Sequence, residues 1–187
     1  MLALSFSALL AACGGDDDDT SGTVSNGSSS AAKTASDLTP DLSSKGLTIT
    51  QSGKAAGSTQ NQDAFTVQFS GAGGSGKVAA ARTDINLHPT VDAATAQYNA
   101  ISEALRNPPP DLFGPNATQD DNTSIFQADQ AKSYKTAKTD AQGLRVYTDA
   151  YRMGRAVVIV YVIGPDGADT DAVRKLAAQK INEKAPR

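Results

Sequence analysis

Leu144-Arg145-Val146-Tyr147-Thr148-Asp149-Ala150-Tyr151, the pair Met153-Gly154, and then Ala156-Val157-Val158-Ile159-Val160-Tyr161-Val162-Ile163 decide the fold. The first segment alternates in polarity, as a strand with two unlike faces does. Met153-Gly154 turns the chain. The second segment is apolar without interruption and rich in β-branched residues, which predicts a central strand covered on both faces. Gly164-Pro165-Asp166-Gly167 ends it. A helix is expected next, over about 170–184. Val173, Leu176, Ala177 and Ile181 fall on one of its faces, and lysines lie near its C-terminal end, where the helix dipole favours them.

Upstream, Leu47-Thr48-Ile49-Thr50 alternates just after Gly46, and Ala64-Phe65-Thr66-Val67-Gln68-Phe69 alternates again beyond a polar loop. The glycine-rich stretch Gly71–Gly76 reads as the loop of a hairpin leading into a third strand over 77–87. Pro89-Thr90 opens a helix over about 90–106. Val91, Ala94, Tyr98, Ile101 and Leu105 recur at helical spacing, Thr90 is placed to cap the free amides, and Pro108-Pro109-Pro110 stops it. Leu112-Phe113-Gly114-Pro115 is expected to be a hydrophobic loop, and Thr123-Ser124-Ile125-Phe126 a short strand. Strands, helix, strands, helix, joined by hairpins, make an α+β domain: an antiparallel sheet of about five to six strands with two packed helices.

The N-terminus carries an address. Leu2–Ala12 is uncharged and mostly apolar, too short to span a bilayer core as a helix, which takes about 20 residues. It ends in Leu10-Ala11-Ala12-Cys13-Gly14, which resembles the lipobox of bacterial lipoproteins. That resemblance implies a signal peptide over residues 1–12, cleavage before Cys13, and acylation of its thiol with fatty chains such as palmitate. The family's n-region is positively charged, whereas no Lys or Arg precedes this apolar run, so the true start is expected upstream. The alternative is an apolar N-terminus packed into the protein's own core.

Cys13 is the only cysteine, so disulfides within the chain are excluded and a lone exported thiol calls for a use such as acylation. After it come Asp16-Asp17-Asp18-Asp19 and a tract rich in Ser, Thr, Gly and Asn. Four adjacent carboxylates do not space calcium ligands as an EF-hand loop does, and they read as a solvated spacer. Residues 13–45 are expected to be a flexible tether reaching about 30 Å, and residues 46–187 a single extracytoplasmic domain. Net charge is −3, without a basic block, and aromatics make up 5% of the chain with no Trp. Nucleic acid is therefore not an expected partner.

Several stretches invite a chemical reading. Gly71-Ala72-Gly73-Gly74-Ser75-Gly76-Lys77 has P-loop spacing, but Val78 stands where the metal-binding Ser or Thr belongs and a strand follows where a helix should. His88, the only histidine, sits at a strand-to-helix turn and reads as a surface or capping residue; triad chemistry would have to use it alone, and metal ligation would need distant carboxylates such as Asp84. Asp120-Asp121 read as solvated loop acids, and Asn116-Ala117-Thr118 as a surface turn, although it matches a glycosylation acceptor. Tyr147, Tyr151 and Tyr161 lie on the C-terminal hairpin, where they either line a groove or fill the sheet's core. Leu112, Phe113, Tyr147 and Tyr151 are the candidate binding surface. No catalytic residue, metal site or cofactor is expected.

The order of elements from Ala79 to Leu105, with the hairpin and helix from Leu144 to Ile181, resembles small extracytoplasmic domains of actinobacterial lipoproteins and the sensor domains of membrane-bound serine/threonine kinases. The resemblance is a pattern of elements rather than a motif. It implies ligand sensing or partner binding without catalysis. The expectation is a module held to a membrane through the lipid on Cys13, whose partner is a small ligand or an envelope protein. An envelope hydrolase acting through Asp or Glu, and a purely structural envelope protein, are the alternatives.

Overall fold

The computed structural model describes residues 32–55, 62–71, 76–106, 118–120, 126–136 and 143–187. The apolar run is its central strand. β7 (Ala156–Pro165) lies in the middle of one sheet, in the order β1-β2-β3-β7-β6-β5-β4. β6 (Leu144–Met153) pairs with it from Met153↔Ala156 to Leu144↔Pro165. Gly154 turns this hairpin with φ 55°. A Cβ there would also strike the carbonyl of Pro186, so both the backbone conformation and the docked C-terminus require glycine.

On the other side of β7 lies β3 (Ala80–Leu87), followed by β2 (Asp63–Gly71) and β1 (Leu47–Lys54). Beyond β6 lie β5 (Gln130–Lys135) and a three-residue edge strand, β4 (Thr118–Asp120). Every pairing is antiparallel. The fold is α+β as expected, with β4 added at the edge beyond six longer strands. Asp120 and Thr118 thus belong to a strand rather than to a loop. Phe126 lies outside any strand; Thr123–Ile125 are outside the described residues.

Alternation along β7 sorts the layers. Val158, Val160 and Val162 point to one face together with Val67, Phe69, Ile85, Tyr151 and Met153, and they pack under helix α2 (Ala168–Asn182) through Val173, Ala177, Ala178 and Ile181. Val157 points to the other face with Ala150 and Tyr134. There it meets Ala94, Tyr98, Ile101 and Leu105 of helix α1 (Val91–Arg106). The Thr90 hydroxyl accepts the Ala93 N–H at 3.1 Å, closing the first turn of α1.

The domain begins earlier than composition suggested. Part of the expected tether, from Ala32 to Lys45, folds onto the α2 side of the sheet. Ala32, Ala35, Leu38 and Leu42 are buried, and the first of two 3-10 turns, Ala35–Leu38, packs on β2 and β3. The second spans Ser43–Lys45 and ends in Gly46 at φ 71°. The Ala35 N–H donates to the Asp63 carboxylate at 2.6 Å, and the Ala32 N–H to the Lys184 carbonyl at 3.0 Å. The reason is local. Two leucines four residues apart stabilise the segment by about 1.5–3 kcal/mol each when buried, which polar neighbours do not cancel. Leu38→Ala is accordingly expected to lower unfolding free energy by about 2–5 kcal/mol, read by urea denaturation of the full chain. An unchanged midpoint would return this segment to the tether.

Candidate functional site

Two polar arrangements stand out, one on each face of the sheet. The first is buried under α2. Arg174 lies on the helix face that carries Ala177 and Ile181, and Asp149 alternates inward with Tyr147 and Tyr151 on β6; Arg174 is 1% exposed and Asp149 0%. The guanidinium grips the carboxylate at both oxygens, with Nε and Nη2 each at 2.8 Å. Nη2 also donates to the Ser133 hydroxyl of β5 at 2.6 Å, and Nη1 to Asp171 at 3.0 Å. The rings of Tyr147 and Phe126 lie 4.7 Å and 5.6 Å from the guanidinium carbon. One arginine thereby ties α2 to β5 and β6 inside the core. Such a buried pair is a positional lock rather than a source of net stability.

The Tyr147 hydroxyl extends this arrangement outward by donating to Asp166, which also accepts from Arg145 Nε at 2.8 Å. Burial, then the bond to Asp166, pushes the Tyr147 phenol up, and the same bond holds the Asp166 carboxyl below its usual range. Tyr151 is wholly buried and stacks on Phe126 at 5.6 Å; burial first and Asp149 second push its phenol well up.

The second arrangement is open. On the α1 face, away from the helix, the sheet carries a hollow of about 470 Å3 lined by residues that include Gln68, Arg82, Tyr161, Ile163 and Val146. Strand register explains its floor. Gln68, Arg82, Tyr161 and Thr148 stand opposite one another across β2, β3, β7 and β6, making a polar row. Ser70, Ala80, Ile163 and Val146 make the next row, which is mostly apolar. Arg82 Nε donates to Asp84 at 2.8 Å, Asp84 accepts from Thr66 at the same distance, and the guanidinium carbon lies 5.9 Å from the Tyr161 ring centre. The arginine head is thus preset. Burial, then Asp84, pushes the Tyr161 phenol up to about 12, so it remains a hydrogen-bond donor at neutral pH. The Thr148 hydroxyl, wholly buried in the same row, has no hydrogen-bond partner among the described residues.

A polar strip beside an apolar strip, with no carboxylate on the lining among the described residues, can hold a small molecule that has one end of each kind. Among the described residues the lining holds no nucleophile beside a base.

Most sequence candidates lie elsewhere. Tyr147 and Tyr151 are in the α2-side core, so of their two readings burial fits core filling and not a groove. Tyr161 does line the hollow. His88 is buried at the β3–α1 turn, its Nε2 2.5 Å from Gln97 Oε1, and its backbone bonds to Arg155. Lys77 is exposed and pairs with Asp169 at 3.6 Å, and the strand β3 follows it rather than a phosphate-facing helix. Cys13, the lipobox residues Leu10, Ala11 and Ala12, and the apolar pair Leu112 and Phe113 lie outside the described residues. Among the described residues no three of His, Cys, Asp and Glu converge as metal ligands, and no helix is long and apolar enough to cross a membrane.

Sequence reasoning missed Arg174, Asp149 and Ser133. The available signal was position, because Arg174 and Asp149 each fall on an inward-facing stripe among apolar neighbours.

No protein-family model matches the chain, and neither does any curated protein. Among solved structures it is similar to the extracellular domain of PknH from Mycobacterium tuberculosis. The TM-score is 0.55 at 11% identity, covering 80% of this chain and 93% of that one. At that identity the likeness is one of fold.

Removing one partner of the buried pair strands the other's charge, so Arg174→Met and Asp149→Leu are each expected to cost about 3–5 kcal/mol. Arg174→Met combined with Asp149→Leu should cost clearly less than the sum of the two single changes. Urea unfolding of the singles and the double closes the cycle, and strict additivity would contradict the lock.

Proposed function

We propose that this chain is a lipid-anchored extracytoplasmic protein whose α+β domain binds a small ligand or a partner protein without catalysing a reaction. The observation that carries the reading is the hollow on the α1 face, where register sets a polar row beside an apolar one and Asp84 holds Arg82 in place. Among the described residues its lining contains no acid, histidine or cysteine, which weighs against the hydrolase alternative. A purely structural envelope protein has no need of a preset arginine in an open hollow.

Two further observations support the address. Leu10-Ala11-Ala12-Cys13 resembles a lipobox at the end of an apolar run. The protein of similar fold is itself an extracellular domain. The lipid on Cys13 would hold the chain at the membrane, and residues 14–31 would space the folded domain, which starts by Ala32, from the surface.

Metabolic labelling with a fatty-acid probe should mark the parent chain and leave Cys13→Ser unmarked; absence of label from both would remove the anchor. For binding, thermal-shift screening of small amphipathic molecules is expected to give hits that weaken roughly tenfold, about 1.4 kcal/mol, in Arg82→Ala and in Gln68→Ala. Hits indifferent to both substitutions would place binding away from the hollow.

A further inference from the structure

Ile49 on β1 is 55% exposed, the more exposed of the two large apolar side chains left in solvent among the described residues, the other being Val91 at 40%. It stands opposite Phe69 of β2, a residue of the α2-side core, so Ile49 projects on the α2 face of the sheet. Beside it lies a second hollow of about 410 Å3, whose walls include Pro40, Asp41, Leu42, Leu47 and Phe69. One apolar side chain in solvent is ordinary; what surrounds this one is not. Lys45 precedes β1, and Lys54 ends it on the face of Ile49, as its pairing with Phe65 requires; both are exposed. Across the hollow, the Ser43 hydroxyl and N–H, then Lys180 and Lys184, hold the Asp41 carboxyl below its usual range, so those two lysines lie near it.

The carboxylates of this end are already engaged. Asp37 accepts the N–H groups of Lys33 and Thr34 at 3.0 and 2.9 Å, Asp41 accepts that of Ser43 at 2.9 Å, and Glu183 pairs with Lys180 at 3.1 Å. Asp63 turns under the segment onto the Ala35 N–H. Lys33, Lys45, Lys54, Lys180 and Lys184 therefore outnumber the acids around Ile49, on a chain whose net charge is −3. The tether enters the fold at the same end, because the Ala32 N–H donates to the Lys184 carbonyl at 3.0 Å.

We propose that this end of the α2 face docks on a lipid bilayer, with Ile49 entering the interface and the five lysines meeting anionic headgroups. The location rests on the anchor reading given above: residues 14–31, with a reach of about 25 Å for their composition, join Ala32 to the lipid on Cys13. The chemistry of the surface does not rest on it. A lysine beside an anionic headgroup and one inserted apolar side chain are each weak, and a tether that keeps them at the bilayer lets them act together. Docked in this way, the domain keeps the Arg82–Tyr161 hollow, which lies on the opposite face of the sheet, open to solvent.

The test is cosedimentation of the full chain carrying Cys13→Ser, unacylated, with vesicles at up to about 5 mM lipid. Vesicles of phosphatidylcholine with about 30% phosphatidylglycerol are expected to retain it, and phosphatidylcholine alone to retain far less. Ile49→Asp, and separately Lys45→Glu with Lys54→Glu, should lower retention at least roughly fivefold, while Val91→Asp leaves it unchanged. In the same background, a polarity-sensitive dye on Ile49→Cys should shift to the blue on the anionic vesicles, and the same dye on Val91→Cys should not. Fatty-acid labelling of the parent decides the anchor separately, so loss of the anchor and loss of the surface are distinguishable. No retention on anionic vesicles, retention indifferent to Ile49→Asp, or equal dye shifts at the two positions would overturn the proposal. So would self-association without vesicles that Ile49→Asp abolishes, which would put a second copy on this surface instead.

Discussion

The burial of β7, full on the α2 face and supplied by α1 at the Val157 end of the other, is the constraint from which the rest of the structure follows. A strand that is apolar on every side chain must have a layer above it and a layer below it, and one helix cannot supply both. Val158, Val160 and Val162 take α2, and Val157 takes α1. Once β7 is central, β6 can join it only through the tight turn at Gly154, and β3 must close its other edge. The positions of Arg82, Tyr161 and Ile163 are then fixed by register rather than by loops.

The two faces are finished differently, and that difference leaves an open hollow on one of them. Under α2 the middle of the sheet is covered, because the segment from Ala32 to Leu42 packs beside the helix and Arg174 fastens α2 to β5 and β6. On the opposite face α1 packs across β6 and β7 and leaves the Arg82–Tyr161 end of the sheet open. Burying an arginine–aspartate pair is costly unless its geometry is strict. That strictness holds α2, β5 and β6 together on the face opposite the open floor. The rigid side of the sheet supports the side that faces solvent.

The sequence was most legible where one physical rule acted alone. The run from Ala156 to Ile163 could satisfy only a central strand, and the α1 boundaries were written in Thr90 and the three prolines after Asn107. Legibility failed where rules competed. Ala32–Lys45 is polar on average, yet Leu38 and Leu42 are spaced to bury together, and averaging hid them. Asp149 and Arg174 are charges on apolar stripes, so neither made sense before the other was placed beside it across a long sequence separation. The hollow could not be read at all, since it depends on where α1 stops covering the sheet. Of the hairpin tyrosines, strand parity sent Tyr147 and Tyr151 inward to the α2 side and Tyr161 to the open face.

On the proposed reading, one face of this sheet is a packed support and the other a binding floor. Methyl-resolved NMR of the full chain, labelled at Ile and Val and titrated with a library of small amphiphiles, separates the two faces. Saturable shifts are expected at Ile163 and Val146, with Val158, Val160 and Val162 unmoved. Shifts spread evenly over both sets of methyls, or confined to the α2-side valines, would contradict it.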